Sequence, residues 1–408
     1  MIAVLLSDFL LLGLTIGGQG VLWADVVATL GIGKGAFGTA QLVLPLVAII
    51  LLLRAGALSA RLGKQRLAIA SLVLIGTGNL GLALASGSGL GALVLALAVT
   101  GAGFGLFEIA VNGAAMDWEA LSGRSVLNSL HAGYSGGAVV GAVGAGVLLG
   151  LGWRPDGILL LTALCSLPLI AATVVVRFPP SGLPAPAAPA GSPGPPGSPA
   201  GGLRRALAPL RPLRPLRPLL PLAGAAALAS VGESVANLWS VIYLAELGAG
   251  SLLGGAAFAL ANAAMLAGRL VNARVVARLG TATSLHLSGA GLILASAILF
   301  LPGLPWLPGD DPTGRVPLAV AGFGLLGLAV AGVVPTALTA GARLVPGNSG
   351  AVAGALMTAV YLAFVVAPPL VGWLAEASSL RAALLVVALS GVGIIALTRK
   401  ESDGAAPR

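Results

Sequence analysis

The chain has 408 residues, of which 57% are hydrophobic and 9% are charged, and its formal net charge is +9. Soluble domains average about 25% charged residues, so this composition excludes a water-soluble globule and predicts an integral membrane protein. The basic excess does not indicate a nucleic-acid partner, because the basic residues fall in loops on one side of the predicted spans.

Twelve apolar runs are long enough to cross the hydrocarbon core, which requires about 20 helical residues. In chain order they are 2–24, 36–57, 67–86, 90–113, 126–150, 157–176, 219–244, 253–272, 283–302, 317–340, 349–374 and 380–398. The predicted fold is all-α, with twelve transmembrane helices in two six-helix bundles, residues 1–177 and 219–398. A Pro-, Gly- and Arg-rich linker, 178–218, joins the bundles and is predicted to be disordered, and a tail follows at 399–408.

The distribution of basic residues predicts the orientation. With both termini in the cytoplasm, eighteen of the 22 Lys and Arg residues lie inside, and four lie outside: Lys34, Arg154, Arg315 and Arg381. The positive-inside rule therefore predicts a multi-pass protein of the cytoplasmic (inner) membrane with both termini cytoplasmic. The apolar start shows neither the basic segment nor the cleavage site of a signal peptide.

The two halves contain a repeat. Residues 102–112, AGFGLFEIAVN, align with 321–331, AGFGLLGLAVA, at an offset of 219, with seven of eleven positions identical. Parallel six-helix repeats with a binding site at their interface are typical of secondary transporters, which predicts a cavity lined by spans one, four, seven and ten. Glu108 and Asn112 align with Gly327 and Ala331, so the fold accepts small residues there and the polar pair points to function.

Span seven carries polar residues on one helical face, including Glu233 and Asn237. Glu233 lies about 16 Å into the span, at 1.5 Å per residue, which is close to the bilayer midplane. Charged residues at that depth are costly and usually functional. A carboxylate in an apolar cavity has its charged form disfavoured, so Glu233 is the predicted principal carboxylate for a proton or a substrate.

Spans four and five form a hairpin that places Glu108 level with His131. We predict that these two side chains contact each other, directly or through water, as a pH-sensitive relay. The alternative is a static hydrogen bond between helices. Asn112, Gln19, Tyr361 and Asn237 are predicted to offer neutral hydrogen bonds to a hydroxylated solute. Other polar and aromatic residues are predicted to have no role in the site: Asp8 and His286 are placed at the membrane interface, and Trp23, Trp153 and Trp306 are placed as anchors at the membrane boundary.

Two loops carry a family resemblance. The stretch GALSARLGKQR (56–66) resembles the loop between spans two and three of the major facilitator superfamily, in residues that include Gly56, Arg61, Gly63 and Arg66. The stretch AGRLVNARVVARLG (267–280) is similar to the equivalent second-half loop, with matching residues Gly268, Arg269, Arg278 and Gly280. The resemblance implies that these loops control conformation. Ala60, in the first loop, and Asn272, in the second, stand where the family usually has aspartate.

Three further stretches resemble the MosC and fucose-permease-like branch of that superfamily: GFGLFEIAVN, LHAGYSGGAVVGA (130–142) and GESVANLWSVIYL (232–244). The resemblance implies proton-coupled movement of small, polar, sugar-like solutes by alternating access. Two alternatives stay open, a drug or metabolite efflux pump of the same superfamily and a non-transporting sensor or scaffold with this fold.

The sequence offers little for other chemistry. It has two histidines, one cysteine and neither a Cys-x-x-Cys nor a His-Glu-x-x-His motif, so we expect no metal, no cofactor and no enzymatic activity. The expected partners are a small-molecule substrate, protons and the lipid bilayer, with no nucleic acid, and the expected state is a monomer.

Overall fold

A computed structural model describes residues 1–85, 88–122, 126–178, 217–303, 312–344 and 349–402. The predicted linker lies outside the described residues except at its two ends, and so do Trp306 and the tail beyond residue 402. Within these ranges the regular secondary structure is helical, and no strand is present.

The described part of the first half contains nine α-helices: α1 (Ile2–Leu30), α2 (Lys34–Gln41), α3 (Val43–Leu52), α4 (Ala55–Leu62), α5 (Lys64–Ala85), α6 (Leu90–Phe107), α7 (Gly113–Ser122), α8 (Leu127–Gly150) and α9 (Pro155–Val175). Eight more lie in the residues of the second half that the structure describes: α10 (Leu220–Glu246), α11 (Ser251–Leu279), α12 (Thr281–Phe300), α13 (Pro312–Val330), α14 (Val333–Leu344), α15 (Ser349–Ala377), α16 (Leu380–Ala383) and α17 (Leu385–Ser402). A π-helical turn, Glu108–Asn112, connects α6 to α7.

The prediction of twelve spans is confirmed, since twelve helical stretches of the described chain are long and apolar enough to cross a membrane. Four of the spans are built from two helices each: α2 with α3, α6 with α7, α13 with α14, and α16 with α17. The spans alternate in direction. We call the face that carries both chain ends the terminal face, and the other end of the bundle the opposite face.

The eighth span is longer than predicted. The sequence placed its end at residue 272, whereas α11 continues to Leu279 and ends where Gly280 adopts a φ of 82°. The intervening residues include no proline or glycine, so the helix continues to the first position that permits a left-handed turn. Gly268 and Arg269 lie inside this helix, as the predicted span 253–272 implied, and not in the loop to which the family resemblance assigned them.

Two spans that pack against each other contain proline, and the first of them is broken by it. Between α2 and α3 the helix is broken at Leu42, because Pro45 has no N–H to donate to the carbonyl of Gln41 four residues earlier. In the second half, α15 contains Pro368 and Pro369. An ideal Cβ built on Gly38 of α2 would lie 2.3 Å from the Pro368 carbonyl oxygen, so these two spans are in backbone contact.

Small residues allow α1 and α8 to pack closely. Ideal Cβ atoms on Gly13 and Gly17 of α1 would lie 1.9 Å and 2.0 Å from the carbonyl oxygens of Tyr134 and Ala138. From the other side, a Cβ on Gly137 of α8 would lie 2.2 Å from the Leu10 carbonyl oxygen. Close approach of two backbones at small residues is a usual means of helix association in membranes, where apolar burial gives no advantage over lipid.

The two halves are joined near the opposite face. Three polar contacts between described residues link them: the Lys34–Glu246 ion pair, the hydrogen bond from the Gly35 N–H to Glu376 (2.7 Å), and the hydrogen bond from Trp373 Nε1 to Thr39 Oγ1 (3.1 Å). All three lie close to the connections between spans at that face. We call this set of contacts, together with the packing of α2 on α15, the closure.

Apolar packing shows the same asymmetry. One buried cluster contains residues of both halves, including Phe37 and Trp239, whose rings meet edge to face at 5.8 Å. A second buried cluster, near the terminal face, consists of first-half residues alone, among them Leu5, Phe9 and Phe107. The halves are therefore packed together at the opposite face, and the first half keeps a separate core at the terminal face.

Candidate functional site

A cavity of about 360 Å³ lies between the two halves. We call it the central cavity. Its lining residues come from both halves: Ile16, Gln19, Trp23, Gln41, Leu44, Pro45, Ala48, Leu52, Phe104, Glu108 and Tyr134 from the first, and Glu233, Ser234, Asn237, Leu238, Tyr361, Phe364 and Pro368 from the second. The site thus combines two carboxylates and three side-chain amides with a mostly apolar wall, the usual composition of a ligand pocket.

Span ten contributes no residue to this lining, although the repeat predicted that it would. An ideal Cβ on Gly327 of α13 would lie 2.0 Å from the carbonyl oxygen of Ala261 on α11, and one on Gly268 of α11 would lie 2.6 Å from the Cβ of Ala331. The positions that align with Glu108 and Asn112 are thus occupied by close packing of α13 on α11. Spans two, five and eleven line the cavity in addition to spans one, four and seven.

A larger cavity, of about 680 Å³, lies beyond the closure at the opposite face. Its charged groups include Lys34, Glu246 and Glu376, and all three form contacts between the two halves. Because its polar groups are engaged in holding the halves together, we treat this cavity as a vestibule and the central cavity as the candidate site.

Glu233 forms an ion pair with Arg269 in the central region of the bundle. The distance from Arg269 Nη2 to Glu233 Oε1 is 3.2 Å, and the side chains are 40% and 22% exposed, respectively. The sequence predicted Glu233 as a site residue but assigned Arg269 to a loop, so this partner was missed. A helical α11 brings the guanidinium opposite the carboxylate of α10.

An amide contact between the same two helices lies close to this pair. Asn262 Nδ2 on α11 donates to Asn237 Oδ1 on α10 at 3.2 Å. Glu233 precedes Asn237 by one helical turn, and Arg269 follows Asn262 by about two turns. In two antiparallel helices joined at Asn237 and Asn262, Glu233 lies level with residue 266, and the long side chain of Arg269 spans the remaining distance of about 4.5 Å.

Glu108 and Asn112 lie at the two ends of the π-helical turn. Asn112 Nδ2 donates to Glu108 Oε2 at 2.6 Å, while Asn112 Oδ1 is buried without a partner among the described residues. Single π turns inside α-helices are frequent at functional sites. The turn gives the carboxylate a partner on its own helix.

The direct contact expected between Glu108 and His131 is not formed in this conformation. No hydrogen bond joins the two side chains in the described part of the chain, because Glu108 is engaged with Asn112. The His131 ring instead packs against Phe9 of α1, with ring centroids 5.0 Å apart. His131 is an exposed residue near the start of α8.

The other amides and the tyrosine predicted for the site line the central cavity. Gln19 Nε2 donates to Asn79 Oδ1 at 3.1 Å, and Asn79 Nδ2 donates to the Ile75 carbonyl oxygen at 3.0 Å. Tyr361 of α15 lies in the same lining. Gln41 was not predicted, and it is brought to the cavity by the break between α2 and α3.

Two residues predicted near the membrane boundary are buried instead. Trp23 lines the central cavity and packs against Phe37, with ring centroids 5.6 Å apart. Asp8 is fully buried, and neither of its carboxylate oxygens has a partner among the described residues. Close packing of α1 on α8 explains both corrections, because it leaves little of α1 in contact with lipid.

The two stretches that resemble superfamily loops, 56–66 and 267–280, form contacts at the terminal face. Lys64, next to Gly63, forms an ion pair with Asp117 and donates to the Gly113 carbonyl oxygen at 3.0 Å, so the first loop is tied to span four by a lysine. In the second half, Asn272 Nδ2 donates to Thr336 Oγ1 at 3.1 Å. The remaining positions of the two motifs lie at helix ends or on the surface: Gly56, Arg61, Gly63 and Arg66 in the first, and Arg278 and Gly280 in the second.

The repeat extends to these two contacts. Gly332 aligns with Gly113 at the offset of 219, and a Cβ on Gly332 would lie 2.2 Å from Asn272 Oδ1. Each half thus places a polar side chain, Lys64 or Asn272, against the equivalent glycine, Gly113 or Gly332. Among the described residues, no group of three or more His, Cys, Asp and Glu side chains is arranged to hold a metal ion.

Comparisons with known proteins agree with this architecture. The chain is 31% identical over 395 residues to an uncharacterised transporter of Sinorhizobium fredii, covering 94% of this chain and 93% of the relative. It is 28% identical over 304 residues to an uncharacterised MFS-type transporter of Yersinia pestis, covering 73% and 70% of the two chains.

Solved structures show the same fold. Two crystal structures of the nucleoside transporter NupG, the first of a single-site mutant, superpose on this chain with TM-scores of 0.77 and 0.74. They cover 97% and 99% of this chain and 98% of each NupG chain. The sequence identities are 13% and 12%, so this likeness concerns the fold alone.

Finally, residues 9–310 match the family model of the Major Facilitator Superfamily. Together with the twelve spans and the full-length relatives, this match identifies the chain as a transporter rather than an enzyme. The chain belongs to the major facilitator superfamily.

Proposed function

We propose that the protein is a proton-coupled secondary transporter that moves a small, polar, sugar-like solute across the cytoplasmic membrane by alternating access. The observation that carries this proposal is the central cavity, which lies between the halves and is lined by a carboxylate from each, Glu108 and Glu233. The cavity is closed towards the opposite face by contacts between the halves. Such an arrangement suits a solute that enters from one side at a time.

The orientation in this proposal rests on the Lys and Arg distribution, which favours a cytoplasmic terminal face. With that orientation, the present conformation faces inward. The closure then blocks the outer side, and the exposed His131 and Arg269 lie on the cytoplasmic side of the cavity.

Glu233 is the proposed carrier of the coupling proton. An ionised Glu233 carboxylate pairs with the Arg269 guanidinium, whereas a protonated, uncharged Glu233 does not attract the guanidinium electrostatically. Proton uptake at Glu233 therefore competes with the ion pair and frees Arg269. The guanidinium carries five N–H donors, and the structure uses one of them on Glu233, so several are available to a solute.

Glu108, Asn112 and His131 form the proposed second relay. Asn112 holds the carboxylate from its own helix turn, and His131 lies on α8 of the same half. Rearrangement of Asn112 would release Glu108 to exchange a proton with His131 or with water entering from the cytoplasm. Asn237, Gln19 and Tyr361 supply neutral hydrogen bonds to the solute. The three stretches that resemble the MosC and fucose-permease-like branch support the choice of a sugar-like substrate.

One observation favours a second candidate function, efflux of amphiphilic drugs or metabolites. More than half of the cavity wall is apolar and includes Leu44, Leu52, Phe104, Leu238 and Phe364. Such a wall suits flat, amphiphilic cations as well as the ring carbons of a sugar. The substrate pool that drives proton movement distinguishes the two functions.

The experiment that tests the proposal is proton flux in inside-out vesicles, monitored with a pH-gradient dye. Pools of sugars, polyols, nucleosides and amphiphilic cations are added in turn to wild type, Glu233→Gln and Glu108→Gln. Glu246→Gln is the matched control, because Glu246 is a carboxylate on the same helix as Glu233 that lies in the closure rather than in the central cavity. We expect a polar pool to collapse the gradient in wild type and in the control, but not in Glu233→Gln.

Other outcomes assign the function differently. Collapse by amphiphilic cations alone would establish the efflux function. Transport by Glu233→Gln with an unchanged pH dependence would refute the proton role of Glu233. Absence of flux with any pool, in protein shown to be folded and to bind a ligand, would favour the sensor or scaffold.

A further inference from the structure

The side chain of Gln41 contains a buried donor, its amide nitrogen, without a hydrogen-bond partner among the described residues. The residue is 7% exposed, and it lines the central cavity. A buried donor without a partner costs about 1–3 kcal/mol. The donor is therefore unfavourable in the empty cavity and becomes favourable when the cavity holds an acceptor.

The fold holds Gln41 in this place. It is the last residue of α2, and Pro45 prevents the helix from continuing in register past it. The span is broken at the level where Pro45 and Gln41 both line the cavity. Interrupted spans at the ligand site are a recurring feature of transporters, because the break directs polar groups into the cavity.

Gln19 offers the complementary group. The Asn79 amide nitrogen donates to a backbone carbonyl, so Asn79 Oδ1 must be the acceptor in its contact with Gln19. Gln19 therefore turns its Nε2 towards Asn79, and its Oε1 has no donor within the described chain. The cavity wall thus contains one amide donor without a partner, the buried Gln41 Nε2, which a rotation of the side chain would turn towards a solute, and one free amide acceptor, on Gln19.

Trp23 supplies an apolar surface beside these amides. Its ring lines the cavity and is held from behind by Phe37, whose own ring meets Trp239 edge to face. This stack fixes the indole against the closed end of the cavity. None of the three side chains that surround this end, Gln41, Gln19 and Trp23, carries a charge.

We propose that Gln41, Gln19 and Trp23 form a subsite for the uncharged, hydroxyl-bearing ring of the solute. Gln41 Nε2 donates to a ring or hydroxyl oxygen, Gln19 Oε1 accepts from a hydroxyl, and the ring carbons pack on Trp23. A hydroxyl both donates and accepts, so a polyhydroxylated ring matches the pair of amides, whereas a cation built only of hydrocarbon groups offers no acceptor to Gln41. The inference rests on the proposed function and specifies its substrate class.

The first test needs no ligand. Replacing Gln41 with Leu removes an unpaired buried donor and keeps a side chain of similar size, so the empty Gln41→Leu protein should melt at or above the wild-type temperature. A clear decrease in melting temperature would mean that Gln41 has a structural partner and would overturn the inference.

The second test measures binding through thermal stabilisation of purified protein by hexoses, deoxyhexoses, inositols and uncharged nucleosides. For the probes that bind wild type, we expect Gln41→Leu to weaken binding about tenfold or more, which corresponds to about 1.4 kcal/mol. A probe that lacks the recognised hydroxyl should bind wild type and Gln41→Leu equally well. Thr39→Val is the matched control, because Thr39 lies on the same helix and contacts Trp373 of the closure but does not line the cavity.

The outcomes separate this inference from the proposed function. Flux of a polar solute with unchanged selectivity in Gln41→Leu would refute the subsite and leave the transport function in place. An equal loss of binding in Thr39→Val and Gln41→Leu would show that Gln41 acts through the closure, and would also refute the subsite. Binding of amphiphilic cations with no response to any hydroxylated probe would refute both the subsite and the sugar-like substrate.

Discussion

Glu233 and Arg269 show how one ion pair can matter for function and contribute little to stability. The distance between the paired atoms is 3.2 Å, but both side chains remain partly exposed, Arg269 by 40% and Glu233 by 22%. Partly exposed ion pairs contribute about 1 kcal/mol or less. An interaction of this strength can form and break within a transport cycle.

A double-mutant cycle tests this weakness. Glu233→Gln, Arg269→Gln and the double variant should melt close to wild type in detergent, with a coupling free energy of about 1 kcal/mol or less, because water reaches both groups. Thermal unfolding followed by tryptophan fluorescence gives the three values. A much larger coupling would mean that the pair is a fixed structural bridge and is unsuited to proton exchange.

At the scale of residues, the sequence predicted polar groups better than it predicted their partners. Glu233, Asn237, Glu108, Gln19 and Tyr361 all line the cavity, because a polar side chain at membrane depth has few places other than the bundle interior. Partners depend on helix ends and local geometry. Arg269 was missed because it was assigned to a conformational loop motif, although it lay within the predicted span 253–272, and Asn112 was interpreted as a ligand for the solute, although its i,i+4 spacing from Glu108 permits a contact on one helix.

At the scale of elements, close contact between α1 and α8 organises the first half. Gly17 and Gly18 are neighbours on α1 with opposite surroundings. A Cβ on Gly17 would lie 2.0 Å from the Ala138 carbonyl oxygen, whereas a Cβ on Gly18 has its nearest neighbour, the Gly141 carbonyl oxygen, at 3.9 Å. The two positions therefore separate helix packing from the intrinsic effect of glycine.

We expect Gly17→Ala to destabilise the protein and Gly18→Ala to be neutral or stabilising. The first forces the backbones of α1 and α8 apart, at a cost of about 1–3 kcal/mol for overpacking. The second removes a flexible residue from a helix, with a gain of about 0.5–1 kcal/mol. Melting temperatures in detergent provide the comparison, and equal shifts for the two variants would contradict the close contact.

The elements themselves were largely predictable. All twelve spans were expected from runs of apolar residues, since a helix is the structure that satisfies its backbone within lipid. Their ends were less certain, as α11 shows. The repeat could not predict that span ten would be absent from the described cavity lining. That absence depends on how closely α13 approaches α11 and not on the composition of either helix.

At the scale of the whole molecule, the closure determines which face is open. Its polar contacts are partly solvated, with Lys34 and Glu246 exposed by 29% and 38%, so the ion pair contributes little. Backbone packing between α15 and the start of α2 constrains the closure more strongly than this ion pair does. A Cβ on Gly372 of α15 would lie 2.4 Å from the carbonyl oxygen of Lys34, and no side-chain motion can relieve that contact.

We therefore expect Gly372→Ala to open the closure and Lys34→Ala to leave it largely intact. The measurement is labelling of Leu238→Cys, a cavity residue, by an impermeant maleimide from the opposite face, in a Cys165→Ser background that has no other cysteine. Labelling should increase about tenfold in Gly372→Ala, a shift of about 1.4 kcal/mol in the equilibrium between conformations.

Gly144→Ala is the control for this comparison, since a Cβ there meets nothing within 4 Å. A larger increase in labelling for Lys34→Ala than for Gly372→Ala would assign the closure to the ion pair rather than to backbone packing.

The burial of Asp8 has a consequence for how the protein is made. Its helix, α1, ends at Leu30, but the partner that covers it, α8, ends at Gly150, which leaves the ribosome 120 residues later. At about 5–20 residues per second, the delay is about 6–24 s. During this interval the carboxyl group has no finished bundle to enter, and an acidic residue in lipid is costly. The first segment of the nascent chain must therefore be held at the insertion machinery, or wait at the membrane surface, until the fifth span is made.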